Sequence, residues 1–304
     1  MINNLIRQIS GLLILFSFCS CAGTDTGMFE QALSSTGLVS GGQASALFRF
    51  GSSISDGVKG FTPEEEYYLG RSVSATILSK YKPYNNQTLN QYASKIANVL
   101  VSVSDKPETF SGYRVMILDT PEINAVSAPG GFIFISRGFV SLLPNEDAFA
   151  AVIAHEIAHI AMNHGTKAIS ESNISSAFLA LGKETAQART GAITSQLTSV
   201  FGDSVTDITN TLLEKGFSRS QEYDADQYAI TLLTRAGYNP VSLETALSAI
   251  STTNGKKDSG GWMSTHPAPL DRIERLGKKI KSKEDAGYSV RTARFKKVAP
   301  KSTR

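Results

Sequence analysis

The order of apolar and polar positions changes period twice along the chain. From Phe61, FTPEEEYYLGRSVSATIL reads as a helix: Thr62 is placed to cap it, Pro63 suits its first position, and Glu65 completes a capping box with Thr62. A second helix follows, with Leu89, Tyr92, Ile96, Val99 and Val103 spaced three and four apart along one face, a stripe that argues for core. The period then shortens. YRVMIL (113–118), INAVSA (123–128) and FIFIS (132–136) read as short strands, with DTPE and PGG supplying the turns. At Asn145 helical spacing returns: Asn145 caps, Glu146 and Asp147 suit the positive end of the dipole, and Phe149, Val152, Ile153, Ile157 and Ile160 form the apolar side. Residues 168–215 are rich in Ser, Thr and Ala and helical by propensity. SQEYDADQYAITLLTRAG carries a further helix that stops at Gly237 with Pro240 beyond, and GWMSTHPAPLDRIERL leads into a last one. The pattern predicts an α+β fold, mostly helical, with a small sheet beside the helix that begins at Asn145. No internal repeat is present.

Composition narrows this picture. The chain has 304 residues with 41% hydrophobic content, enough for one large core or two modest ones, and its net charge of +3 is too mild to argue for nucleic acid. Ten Lys/Arg against two acids between Lys278 and Arg304 mark 281–304 as a basic tail. At the other end, Arg7 precedes GLLILFSF (Gly11–Phe18), a run too short to span a bilayer and built like the apolar region of a signal peptide. FCSC resembles a bacterial lipobox with Cys21 as the lipid acceptor, although Phe18 stands where leucine is usual. The expected organisation is a lipoprotein-type signal at 1–20, a Gly/Ser-rich flexible tether at 21–60, and a folded domain at 61–280. Export with lipidation places the domain facing the periplasm on a membrane anchor. Ala22, which is not the aspartate that retains some lipoproteins at the inner membrane, favours the outer membrane. Cys19 and Cys21 are the chain's two cysteines, so cleavage leaves no disulfide pair in the mature protein.

The candidate chemistry lies in AVIAHEIAHIAMNHG (Ala151–Gly165), which holds three of the four histidines. Positions i and i+4 share a helix face, so His155 and His159 project together at a spacing that can clamp one metal ion. Glu156 sits about 100° round the helix, within reach of a water on that metal but not itself a ligand. Catalytic zinc takes three protein ligands and keeps an open position, and it acidifies its water so that a carboxylate can remove the proton. The third ligand must come from elsewhere. HExxHxxGxxH is excluded, since Met162 and Gly165 stand where its glycine and histidine would be. Glu222 is the best candidate, because Asp226 lies four residues on along the same face and can accept the free ring N–H of a zinc-bound histidine; Glu214, Asp224 and Asp226 compete for the ligand role. His266 is the one histidine outside this cluster. His164, five residues past His159, turns too far round a straight helix to face the same metal and reads as a helix-end hydrogen-bonding residue.

Five stretches in one order, TPEEEYYLG, NAVSAPGGFIFISRGFV, HEIAHIAMNHG, FSRSQEYDAD and STHPAPLDRIERL, resemble the HtpX and CAAX-prenyl-protease group of zinc metalloendopeptidases (gluzincins), above all its exported, soluble-domain bacterial members, over about residues 60–280. The resemblance implies a zincin-like domain with one Zn2+ held by His155, His159 and Glu222, and with Glu156 as general base. It implies a catalytic or latency role for His266, with Asp226, Arg219 and Arg272 around the zinc elements. The edge strand around Ala128, Gly130 and Gly131 is expected to lie beside an extended peptide substrate. No spanning segment follows residue 18, unlike the membrane-embedded relatives, so a soluble or periplasm-facing substrate is expected; the resemblance alone implies misfolded or misassembled envelope proteins as substrates and envelope proteins as partners.

Overall fold

The computed structural model describes residues 61–170, 205–252, 262–266, 269–277, 280 and 287–301; the signal, the tether and Cys21 lie outside the described residues. Helix α1 (Pro63–Lys80) starts as expected. Glu65 donates its backbone N–H to the Thr62 hydroxyl at 3.3 Å, and Thr62 returns its own N–H to the Glu65 carboxylate at 2.8 Å. Helix α2 (Gln87–Ser102) is capped by Asn86. Its buried stripe runs Leu89, Ala93, Ile96, Ala97 and Leu100, whereas Val99 is 47% exposed. The stripe is rotated from the expected one, because it runs through Ala93 and Ala97, which are too small to stand out in the sequence.

Three short strands follow: β1 (Arg114–Leu118), β2 (Ala125–Ala128) and β3 (Phe132–Ser136). They form one sheet in the order β1-β3-β2, with β1 parallel and β2 antiparallel to β3. The β2–β3 connection is Pro129–Gly131, with φ of 74° at Gly130 and 102° at Gly131. A Cβ at Gly130 would come within 2.5 Å of the Tyr67 Cα, so this turn is glycine because α1 lies against it.

Helix α3 (Arg137–Leu142) leads to α4 (Glu146–Ala161), capped by the Asn145 side chain, which accepts from the Ala148 N–H at 2.8 Å. Helix α4 is the centre of the domain, buried from Glu146 through Ile160. Helix α5 (His164–Ser170) follows it, a helix at 205–210 continues into a wide turn at Thr211–Lys215, and α6 (Arg219–Ala236) runs from a Ser218 capping box to Gly237, whose φ is 82°. Helices α7 (Ser242–Ser251), α8 (Trp262–Thr265), α9 (Pro269–Gly277) and α10 (Tyr288–Val298) complete the described chain. One core gathers α2, α4, α6 and α7 with Val115, Ile117, Ile133 and Ile135; a second sits under α1, with Val126 and Phe134 from the sheet. Among the described residues no helix is long and apolar enough to cross a membrane.

The basic segment read as a tail contains α10, and α10 is docked on the first turn of α4. Arg291 grips Asp147 through two bonds of 2.7 and 2.8 Å, Arg294 pairs with Glu146, and Phe295 packs 5.7 Å from Phe149. Glu146 and Asp147 suit the dipole as expected, but they are buried and need these cations. Burial alone would raise the Glu146 carboxyl; the Arg294 guanidinium, with the Tyr92 and Tyr238 hydroxyls, outweighs it and holds the group below its usual range. A depressed carboxylate contributes stability above its unfolded pKa that is lost as pH falls through its folded one. Arg294→Ala is therefore expected to lower the urea midpoint at pH 7, and the gap from the parent should narrow as pH falls below about 4. A gap that stays constant down to pH 3 would rule out this carboxylate as its source.

Candidate metal centre

Helix α4 brings His155, Glu156 and His159 into the interior, α6 brings Glu222 and Asp226, and α8 with α9 brings His266 and Arg272; all seven are buried. One ring nitrogen from each of three histidines and the Glu222 carboxylate lie within 4.8 Å of one another. His155 Nε2 is 3.0 Å from His159 Nε2 and 3.5 Å from Glu222 Oε2, and His159 Nε2 is 3.4 Å from Glu222 Oε1. His266 Nδ1 stands 3.4 Å from His155 Nε2 and 2.7 Å from Glu222 Oε1. Four ligands placed tetrahedrally around zinc are separated by about 3.3 Å. These spacings fit one ion, and the donor set of three imidazoles and a carboxylate is one that zinc accepts.

The buried donors couple to one another electrostatically. Burial and the Arg272 charge oppose protonation of His155, yet hydrogen bonds to Asp226 and Glu222 outweigh them and hold it up at about 9. Burial pushes His159 well below its ordinary range. Burial would raise Glu222, and His266, His155 and His159 overcome it and lower that carboxyl.

The surrounding groups hold the donors in place. His155 Nδ1 lies 3.1 Å from Asp226 Oδ1, the contact expected of a histidine whose other nitrogen faces a metal. Arg272 is fully buried; its Nε donates to Asp226 Oδ2 at 2.8 Å, its Nη2 to Asp226 Oδ1, and its Nη1 stands 3.1 Å from Glu222 Oε2. The 3.3 Å approach of Arg272 Nη2 to His155 Nδ1 follows from their shared partner, since both nitrogens then carry hydrogen. Arg219 was expected beside Arg272 in this role but lies exposed on the first turn of α6; the buried pairing belongs to Arg272. Glu156 is fully buried, and among the described residues neither of its oxygens has a hydrogen-bond partner. His266 Nε2 stands 3.9 Å from Glu156 Oε1. A buried carboxylate left without donors is costly, so this one is aimed at something that completes the site.

Ala128, Gly130 and Gly131 are buried. Chain already occupies the space beside both glycines: Tyr67 stands against Gly130, and the Gly112 carbonyl lies 2.7 Å from where a Gly131 Cβ would be. The close approach expected of a substrate is made here by the protein itself. A recess nearby is lined by Ser127, Ala128, Gly130, His159 and Asn163. Two aromatic residues that sequence reasoning did not single out frame the histidines. Phe217 stacks on His159 at 4.1 Å, and Trp262 stacks on His266 at 4.4 Å.

Residues 83–280, which include every donor named above, match the peptidase family M48, and the chain belongs to that family. It is 26% identical over 194 residues to the mitochondrial metalloendopeptidase OMA1 of Schizosaccharomyces pombe, covering 64% of this chain and 53% of that protein. It is 24% identical over 198 residues to the beta-barrel assembly-enhancing protease of Escherichia coli K12, covering 62% and 38%. Over 191 residues it is 24% identical to metalloprotease LoiP of the same organism, covering 62% and 70%. The chain thus spans about half or less of the first two proteins.

Proposed function

We propose that this chain is a zinc-dependent metalloendopeptidase. The observation that carries the reading is the convergence of four donor atoms beside Glu156, a buried carboxylate with no hydrogen-bond partner among the described residues. His155, His159 and Glu222 hold the ion, and Asp226 and Arg272 fix their orientation. Zinc supplies Lewis-acid polarisation of a carbonyl and acidification of a water molecule when it is bound. Glu156 would act as the general base, its carboxylate taking a proton from the attacking water and passing it to the leaving amine. Buried Arg272 offsets the negative charge of the two acids behind the histidines.

His266 brings a second reading into the same site. Its Nδ1 stands among the donors, and a closed four-ligand set is characteristic of structural sites, where catalytic ones keep a position open. On this reading His266 would occupy the open zinc position and hold the site latent, and its 2.7 Å approach to Glu222 Oε1 supports that. Within the family we place the chain with the exported, soluble-domain members, lipid-anchored through Cys21 and probing the envelope for misfolded or misassembled proteins. Similarity to the beta-barrel assembly-enhancing protease of Escherichia coli supports that substrate class.

Zinc content and cleavage of an unfolded test protein, before and after chelation, test the enzyme reading. One zinc per chain and a chelator-sensitive cleavage restored by zinc are expected; stoichiometric zinc is absent if the histidines are incidental. His266→Ala is expected to retain zinc and raise cleavage severalfold. A loss of about 10²–10³-fold in that variant would assign His266 to the oxyanion instead.

A further inference from the structure

His159 presents two nitrogens to two different surroundings. Nε2 faces the donor cluster, 3.0 Å from His155 Nε2, whereas Nδ1 lies 2.9 Å from Nδ1 of His164. Both rings are buried and meet edge to face, with centroids 5.0 Å apart. If Nε2 supplies a lone pair to a metal, the ring's single hydrogen is on Nδ1, and its neighbour there must accept. His164 Nδ1 then carries a lone pair, with the hydrogen of that ring on Nε2.

The backbone explains how a residue five positions on returns to the same ring. Helix α4 ends at Ala161, and Asn163 adopts a left-handed φ of 58°, a conformation asparagine tolerates better than most residues. The turn brings His164, at the start of α5, back against His159. Phe217 stacked on the imidazole, with an interplanar angle of 18°, fixes the plane of the ring but not its rotation within that plane. The hydrogen bond to His164 fixes the rotation.

We propose that His164 is a positioning residue: it accepts the Nδ1 hydrogen of His159 and so aims His159 Nε2 at the metal. It is the counterpart of Asp226 behind His155, with a neutral ring in place of a carboxylate. The difference suits the charge balance. Glu156, Glu222 and Asp226 are buried around one guanidinium, Arg272, and another carboxylate behind His159 would add a further buried negative charge.

This inference rests on His159 being a ligand, and the test separates the two. Zinc affinity of the full-length chain is measured by competition with a chromophoric chelator for the parent, His164→Asn and His164→Leu. Asparagine places an acceptor oxygen close to the site of Nδ1; leucine fills similar space with none. His164→Leu is expected to weaken zinc binding by about 10–100-fold, and His164→Asn to restore most of the loss. Unchanged affinity in His164→Leu overturns the proposal, as does equal weakening in both variants, which would assign His164 to packing. A parent that takes up no zinc overturns the metal reading itself, and this inference with it. His164→Ala replaces the leucine variant should that one fail to fold.

Discussion

Glu156→Gln is expected to keep its zinc, lose cleavage by about 10²–10⁴-fold, and unfold at the same or higher urea concentration than the parent. The three outcomes belong together. The glutamine amide occupies the space of the carboxylate and leaves His155, His159, Glu222 and His266 untouched, so the donor set survives. It cannot take a proton, which removes the step assigned to Glu156. It also replaces a fully buried carboxyl group, which has no hydrogen-bond partner among the described residues, with an uncharged amide of the same shape. Cleavage within tenfold of the parent would remove Glu156 from the mechanism. Lost zinc would instead mean that the carboxylate is a ligand.

Arg272→Met carries the largest expected loss of stability. The guanidinium is fully buried between Asp226 and Glu222, and methionine fills much of its volume without its charge. Removing one partner from a buried ionic group leaves the other uncompensated and costs about 3–5 kcal/mol. The loss should be greatest without zinc, since a bound cation compensates Glu222; added zinc should recover part of it, as any ligand of the folded state does. Urea unfolding with and without zinc reads both effects. An unchanged midpoint in zinc-free buffer would contradict the role assigned to Arg272.

How far the sequence could be read depended on the range of the interactions involved. Thr62, Asn145 and Gly237 act within a few residues of themselves, and each appears where the pattern predicted it. The shared face of His155 and His159, and that of Glu222 and Asp226, follow from helical spacing alone. His164 was not legible by that rule, because the rule assumes a straight helix and α4 stops at Ala161. The Asn163–His164–Gly165 triplet was the available signal, asparagine being among the residues that most readily take a left-handed φ. Membership of His266 in the donor cluster depends on Trp262 and Glu222, the latter 44 residues earlier in the chain. No local pattern encodes such a contact. The basic stretch around Arg291 and Arg294 reads as solvated because its acidic partners lie more than 140 residues upstream.

That last contact also sets an order of events during synthesis. Asp147 and Glu146 begin the helix that carries His155 and His159, and their cations arrive only with residues 288–298. While the ribosome is still short of those codons, the first turn of that helix holds two carboxylates with no guanidinium to receive them. A chain cut before Tyr288 would keep its histidines and lose the cations that secure the helix beneath them.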